Sequence, residues 1–149
     1  MRKHLILVGL LSVIFGQLVM TTVASGQAQK QGGAGVPPIV LAGLNTYKTS
    51  GADEAMKAWS KGSRWEGNED ATRLATILRH FQESDGLYQS FEIMDVQVIS
   101  PSTQIVYLAL NFEKEPHFAK FVTYHSGHGW ILLSLKLDFD VNGIVTELK

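Results

Sequence analysis

The second half of the chain changes its hydrophobic period, and this change constrains the fold more than any other feature. From Leu87 onward, β-branched and aromatic residues alternate with polar ones in runs separated by SPST, KEP, HSGHG and DVNG. Alternation with a period of two is typical of strands that bury one face, and short turns connect such strands in antiparallel order. The sequence therefore predicts a curved antiparallel meander of four to five strands.

Before the strands, apolar residues recur at helical spacing. Pro38 suits the first position of a helix that runs to about Tyr47. A second short helix, EAMKAW, is expected to end by Gly62, and Asn68 is expected to cap a third helix whose apolar face includes Phe81. We therefore predict an α+β domain in which three short N-terminal helices pack on the sheet.

The N-terminal segment has the order of a secretory signal peptide. Arg2 and Lys3 precede an apolar run from Leu5 to Phe15, and small residues follow near Gly26. The run is shorter than the roughly 20 apolar residues that a membrane-spanning helix needs. We predict a signal peptide over residues 1–26, a flexible linker over 27–37 and one domain over 38–149. The mature protein is expected to be secreted or periplasmic, without a stable membrane anchor.

The composition excludes disulfide bonds and argues against some classes of partner. The chain has no Cys, so after export the domain must be stable without disulfides. Removal of the signal peptide leaves 11 of the 13 basic residues against 14 acidic ones, which changes the net charge from -1 to -3. There is no basic patch, so nucleic acid is not an expected partner.

A register for the sheet follows if one face is to be buried throughout. With a three-residue loop at Lys114–Pro116, Leu110 lies opposite Lys120. With a two-residue loop at Ser126–Gly127, Lys120 also lies opposite Leu133. This register predicts a nearly continuous apolar face under the helices.

Lys120 is the unusual residue of that face, because a charged side chain among apolar ones is costly unless it is paired or reaches water. Glu92 is its expected partner, and a β-bulge expected near Ile93 and Met94 could turn Glu92 outward. Two interpretations stay open: Lys120 reaches solvent past the sheet edge, or it lies in a small apolar pocket. The residues predicted to bind a ligand there are Lys120, Glu92, Met94, Leu110, Leu133 and Trp59.

The opposite face of the predicted sheet has an apolar centre surrounded by charge. Such a surface suggests that something covers it, and a second copy of the chain is the simplest candidate. A solvated face with scattered exposed aromatic residues is the alternative. The predicted homodimer interface comprises Tyr107, Phe121, Trp130 and Leu132.

Two further groups of residues are candidates for a site. His125 and His128 flank a turn as a cross-strand pair, but no carboxylate lies near enough to complete a metal site, so a hairpin turn is preferred. Trp59 and Trp65 flank a glycine-containing loop and are candidates to cap a pocket, although core packing is the default for Trp. The chain has no glycine-rich phosphate loop, nucleophile elbow or zinc-binding HExxH, so no cofactor is expected.

The segment DFDVNG, Asp138 to Gly143, matches the first half of a calcium loop. The twelfth position of that loop should be a bidentate Glu, but it is Lys149. Asn142-Gly143 is also a strong hairpin signal, with Ile144 and the residues after it in a last strand. A turn is therefore predicted here, and no metal is assigned.

Short helices followed by a meander that ends in Asp140-Val141-Asn142-Gly143-Ile144 resemble the nuclear transport factor 2-like (cystatin-like α+β cone) superfamily. The stretch from Gly86 to Phe139 is similar to small exported bacterial members without an assigned activity. The resemblance implies a sheet wrapped around helices to form a conical pocket, and often a dimer formed through the sheet. Some members, such as polyketide cyclases and ketosteroid isomerases, use pocket Asp and His residues, whereas many only bind ligands or partners.

We therefore expect an exported ligand-binding or accessory domain whose pocket takes a small apolar or anionic ligand. One alternative is an isomerase- or hydrolase-like enzyme with Glu92 as base and Lys120 as electrostatic stabiliser. Another is an assembly module that acts through the outer sheet face. The predicted register places Asp95 on that outer face, away from the pocket, so no catalytic residue is assigned.

Overall fold

The computed structural model describes residues 35–145. Its elements, in chain order, are α1 (Pro38–Ser50), α2 (Ala52–Ser60), α3 (Glu69–Asp85), β1 (Tyr88–Ser100), β2 (Thr103–Phe112), β3 (Pro116–Ser126), β4 (Gly129–Asp138) and α4 (Asn142–Val145). The four strands form one open antiparallel sheet in the order β1-β2-β3-β4. The predicted α+β class and the antiparallel meander are confirmed.

The predicted signal peptide, residues 1–26, lies outside the described residues, as does most of the predicted linker, residues 27–37. Val36, near the end of that linker, is buried in the core. The folded domain therefore includes residues that the sequence assigned to the linker. Between residues 35 and 145, no helix has both the length and the apolar character needed to cross a membrane.

Local signals set the ends of the helices. α1 begins at Pro38, where the missing N–H of proline leaves no helical hydrogen bond unmade, as predicted. Asn68 accepts a hydrogen bond on Oδ1 from the Asp70 N–H at 2.7 Å, which confirms the predicted cap of α3. Gly86 ends α3 with a φ of 85°, a conformation that glycine adopts without strain.

An apolar core lies between helices α1 to α3 and one face of the sheet, here called the core face. Trp59 of α2 is fully buried there and packs against Phe121 of β3, with ring centroids 5.2 Å apart. Its Nε1 donates to the Val40 carbonyl oxygen of α1 at 3.0 Å. Because Val40 is near the start of α1 and Trp59 is near the end of α2, the two helices run antiparallel. One side chain thus connects both helices to the sheet.

The predicted register of β2 against β3 is wrong. Leu110 lies opposite His117, three residues from the predicted partner Lys120, and Lys120 lies opposite Tyr107. A shift by an odd number of residues exchanges the two faces of a strand. The core face of β3 therefore carries His117 and Phe121, whereas Lys120 lies on the opposite, outer face of the sheet.

The pairing register of the edge strands shifts at four points, three in β1 and one in β4. The pairing of β1 with β2 shifts at Met94, which confirms the bulge predicted there. The shift in β4, which was not predicted, lies where Leu133 has no partner on β3. It allows Leu132 and Leu135, three positions apart in the sequence, to be buried on the same face.

The hairpin and last strand predicted after Asn142-Gly143 are wrong, because Asn142–Val145 form the short helix α4. Lys136 lies next to Lys120 on the outer face and donates from Nζ to the Gly143 carbonyl oxygen at 2.6 Å. α4 therefore lies on the outer face, where it contacts β3. Ile144 is fully buried without belonging to the core under α1 to α3. Part of the outer face is thus covered by the chain itself.

Replacement of Gly43 by Ala is expected to destabilise the domain. A Cβ added at this position in α1 would overlap the Trp59 indole, which is fully buried and cannot move aside freely. Overpacking of this kind costs about 1–3 kcal/mol, which exceeds the gain of up to about 1 kcal/mol from better helix propensity. Urea unfolding followed by circular dichroism measures the change.

Gly127→Ala is the matched control, because a Cβ there would meet no atom within 4 Å. Its free energy of unfolding should stay within about 0.5 kcal/mol of the wild type. Equal stability of the Gly43→Ala protein and the wild type would contradict the close packing of α1 on Trp59.

Candidate functional site

The six residues predicted to bind a ligand do not share one pocket. Leu110 and Trp59 are fully buried in the core. Met94 lies at a register shift of β1 and Leu133 at the register shift of β4, and Leu133 is 37% exposed. Lys120 and Glu92 lie on the outer face, so the sheet separates them from the buried residues. The residues are divided because, in the observed register, Leu110 lies opposite His117 and not opposite Lys120.

On the outer face, Lys120 and Glu92 occupy neighbouring rows of the sheet. The Lys120 Nζ lies 5.8 Å from the centroid of the Tyr107 ring, within the range of a cation–π interaction. Glu92 is exposed, and its Oε1 accepts a hydrogen bond from the Asn111 Nδ2 at 3.2 Å. An exposed carboxylate lacks the secluded setting that the hypothesis of an enzymatic base at Glu92 needs.

The predicted interface residues are also divided. Phe121 is 0% exposed and Leu132 is 1% exposed, because both lie under the helices and not on the outer face. Tyr107 does lie on the outer face, but it is buried within the single chain. Trp130 is half-buried near the ends of the helices. A homodimer through the sheet stays a prediction.

The two histidines near the β3–β4 turn do not form a cross-strand pair. His125 lies opposite Trp130, with ring centroids 5.1 Å apart, and His128 lies within the two-residue turn. The Ser126 hydroxyl accepts from the His128 N–H at 3.2 Å and donates to the Gly129 carbonyl oxygen at 2.8 Å. The hairpin interpretation is correct, with the turn one residue later than predicted.

The acidic segment after β4 uses its oxygens to shape the backbone. Asp138 Oδ1 accepts from the Asp140 N–H at 3.0 Å, and Asp140 Oδ1 accepts from the Asn142 N–H at 2.9 Å. The Gly143 carbonyl oxygen is bonded to Lys136. These contacts describe consecutive turns that lead into α4 and do not form a calcium loop.

A groove of about 500 Å³ lies where the helices meet the β3–β4 hairpin. It is mainly apolar with a few polar groups, the composition expected of a small-molecule site. It is larger than the clefts of about 230 Å³ beside β1 and about 180 Å³ between α2 and α3. The groove residues are Ile39, Ala58, Lys61, Gly62, Ser126, His128, Trp130 and Ile131.

Tryptophans hold the groove walls in place. Trp59 fixes the end of α2, which presents Ala58, against the start of α1, which presents Ile39. Trp65 donates from Nε1 to the Leu133 carbonyl oxygen at 3.0 Å, which attaches the loop after α2 to the bulge of β4. The loop between these tryptophans supplies Lys61 and Gly62. The sequence signal of two tryptophans around a glycine-containing loop thus pointed to this region, although it identified none of the other wall residues.

A second cluster surrounds His117, which is 0% exposed. Its Nε2 lies 2.8 Å from Asp85 Oδ2, and its ring stacks on Phe81 with centroids 4.0 Å apart. Phe112 and Phe139 approach the same ring edge-on, each with a centroid distance of 5.1 Å. The imidazole is therefore enclosed, and no substrate reaches it without unpacking the core.

Asp85, Glu115 and His117 each place one possible ligand atom within 4.8 Å of the others. A metal bound at His117 Nε2 would require Nδ1 to carry the proton, and metal-bound histidines normally donate that proton to an acceptor. Within residues 35–145, Nδ1 is buried without a hydrogen-bond partner. The geometry fits a proton on Nε2 that is donated to Asp85, which is a structural hydrogen bond between α3 and β3.

Comparisons of the chain with protein-family models, with curated proteins and with solved structures found no match. The site is therefore interpreted from its own geometry.

The stability of the domain is expected to fall in acid because of Asp85. A hydrogen bond from Ser84 lowers the pKa of the Asp85 carboxyl, and partial burial raises it. His117 and Lys114 lower it further, so the pKa of Asp85 lies below its ordinary value of 3.8. A carboxylate with a depressed pKa contributes stability that is complete above its unfolded pKa and is lost as the pH falls through its folded pKa.

Urea unfolding of the wild type and of Asp85→Asn, from about pH 6 to about pH 2, tests this expectation. The wild type should have a larger free energy of unfolding than Asp85→Asn. This difference should be largest near about pH 6 and should shrink below about pH 4. Glu83→Gln, an exposed carboxylate on the same helix, is the control and should show little difference at any pH. A constant difference for Asp85→Asn would contradict the role of its ionised form.

Proposed function

We propose that the protein is an exported domain that binds a small, mainly apolar ligand in the groove between α1, α2 and the β3–β4 hairpin. The observation that carries this proposal is the groove itself, with a volume of about 500 Å³ and apolar walls formed by Ile39, Ala58, Trp130 and Ile131. Pockets for small molecules have volumes of about 300–1,000 Å³ and this kind of lining. The proposal keeps the ligand-binding role expected from the sequence and moves the site away from Lys120.

We also propose that the fold is a cone of the nuclear transport factor 2-like type. The order of helices before a four-stranded meander supports this assignment, as do the bulges at Met94 and Leu133, which bend and twist the edge strands. In this chain Trp59, Phe81 and Phe121 fill the space between helices and sheet. The ligand site is therefore at the rim of the cone and not at its centre.

The enzymatic alternative has less support from the described residues. Among the described residues, His117 and Asp85 form the buried histidine–carboxylate pair, whereas His80 and Glu83, 4.0 Å apart, are exposed. Phenyl rings enclose the His117 imidazole, and the Asp85 carboxylate already accepts two hydrogen bonds. General acid–base catalysis requires the group to reach the substrate or a bridging water. A binding role therefore accounts better for this arrangement.

Filling the groove should abolish binding of an uncharged apolar probe. Ala58 is a half-buried wall residue, and Ala58→Phe places a ring in the open space without displacing a core side chain. The probe is N-phenyl-1-naphthylamine, whose fluorescence rises in an apolar site. We expect affinity to fall at least about tenfold, which corresponds to about 1.4 kcal/mol.

Ala42→Phe is the matched control, because Ala42 is exposed on α1 and is not a groove residue. Circular dichroism must show that both variants are folded, and Ile39→Trp fills the same groove from the opposite wall. Equal probe binding by the wild type, Ala58→Phe and Ile39→Trp would overturn the proposed site.

The proposed export has a separate test. Expression of the full chain in a bacterial host with a periplasm should yield a product whose intact mass begins at Gln27, or at Gln29 if cleavage follows Ala28. A Val8→Arg substitution interrupts the apolar run and should leave the uncleaved chain in the cell. An unprocessed wild-type chain that starts at Met1 would contradict the assignment of residues 1–26.

A further inference from the structure

We infer that the groove selects an amphipathic carboxylate, with its apolar body against Trp130 and Ile131 and its carboxylate beside Lys61 and His128. This inference rests on the proposed function and adds the chemical class of the ligand. The groove residues include one formally charged side chain, Lys61, and no Asp or Glu. The charge of the site is thus complementary to an anion.

Lys61 is available to a ligand in a way that neighbouring lysines are not. Lys57 is paired with Glu54 at 2.6 Å, and Lys48 donates to the Gln89 carbonyl oxygen at 2.8 Å. The Lys61 side chain is exposed, and its ammonium group forms no hydrogen bond or ion pair with any residue between 35 and 145. An ammonium group on a flexible stem suits a carboxylate that enters along the groove.

The remaining polar groups near the groove are already occupied. Glu66 accepts a hydrogen bond on Oε2 from the Gly62 N–H at 2.9 Å, which engages this carboxylate with the loop backbone. The Ser126 hydroxyl holds the β3–β4 turn through its contacts with His128 and Gly129. Recognition of a polar head group is therefore left to the Lys61 ammonium and the His128 imidazole.

The helix dipoles do not decide the sign of the site. The positive N-terminal end of α1 and the negative C-terminal end of α2 both meet the groove, because the two helices run antiparallel. Their contributions oppose each other. Lys61 consequently determines the preference for an anion.

A series of ligands with the same chain and different head groups tests the inference: decanoate, decanol and decyltrimethylammonium, each below its micelle concentration. The readout is the indole N–H resonance of Trp130 in a nitrogen–proton correlation spectrum, assigned by its absence from Trp130→Phe. The chain has three Trp, and buried Trp59 provides an internal reference. We expect decanoate to bind at least about tenfold more tightly than decanol and decyltrimethylammonium most weakly.

Lys61→Met should reduce the affinity for decanoate to that for decanol, whereas Lys57→Met, four residues earlier in the sequence, should leave the preference intact. Equal binding of decanoate and decanol at Trp130 would overturn the inference and leave the proposed groove standing. An unchanged preference in Lys61→Met would also overturn it. If no ligand in the series perturbs Trp130, the proposed function fails together with the inference.

Discussion

The hydrogen bond between buried His117 and Asp85 determines which face of β3 meets the helices. Phe118 and Val122 would make one face of this strand apolar, and Ala119 and Phe121 the other, so burial of apolar area alone does not choose between them. Only the observed register brings His117 Nε2 to the carboxylate at the end of α3. A register shifted by one residue would place Lys120 in the core and leave the Asp85 carboxylate without its imidazole partner. The free-energy cost of these two changes is larger than the difference between burying one apolar face of β3 and burying the other.

The position of the groove follows from this register. With His117 on the core face, Phe121 is also on that face, four residues along β3, where it supports the Trp59 ring. Trp59 in turn lies against Gly43 and bonds to α1 at Val40, so the antiparallel pair of helices has one permitted position over the sheet. The ends of these helices and the β3–β4 hairpin then leave the groove between them.

The sequence was sufficient for features that depend on neighbouring residues. The start of α1 at proline, the Asn68 cap and the bulge at Met94 are local signals, and each is present. The register failed because its decisive contact joins residues 32 positions apart, which no pattern within one strand contains. The strong hairpin signal of Asn142-Gly143 also failed, because turns bonded to Asp138 and Asp140 and the burial of Ile144 favour a short helix. The groove was predicted only in part, since its walls come from two helices, a loop and a hairpin.

The filled core has a consequence for the way the proposed site would work. Because large side chains occupy the interior, the proposed ligand at the rim would add contacts without opening the domain, and the exposed residues Lys61 and His128 would determine specificity without a cost to core packing. The groove walls are nevertheless connected to the core through Trp59 and through the bond from Trp65 to β4. A ligand that holds these walls together binds the native state and not the unfolded chain. At 100 times its dissociation constant it would stabilise the whole domain by about 2.7 kcal/mol, so that occupancy of the rim is coupled to the stability of the entire sheet.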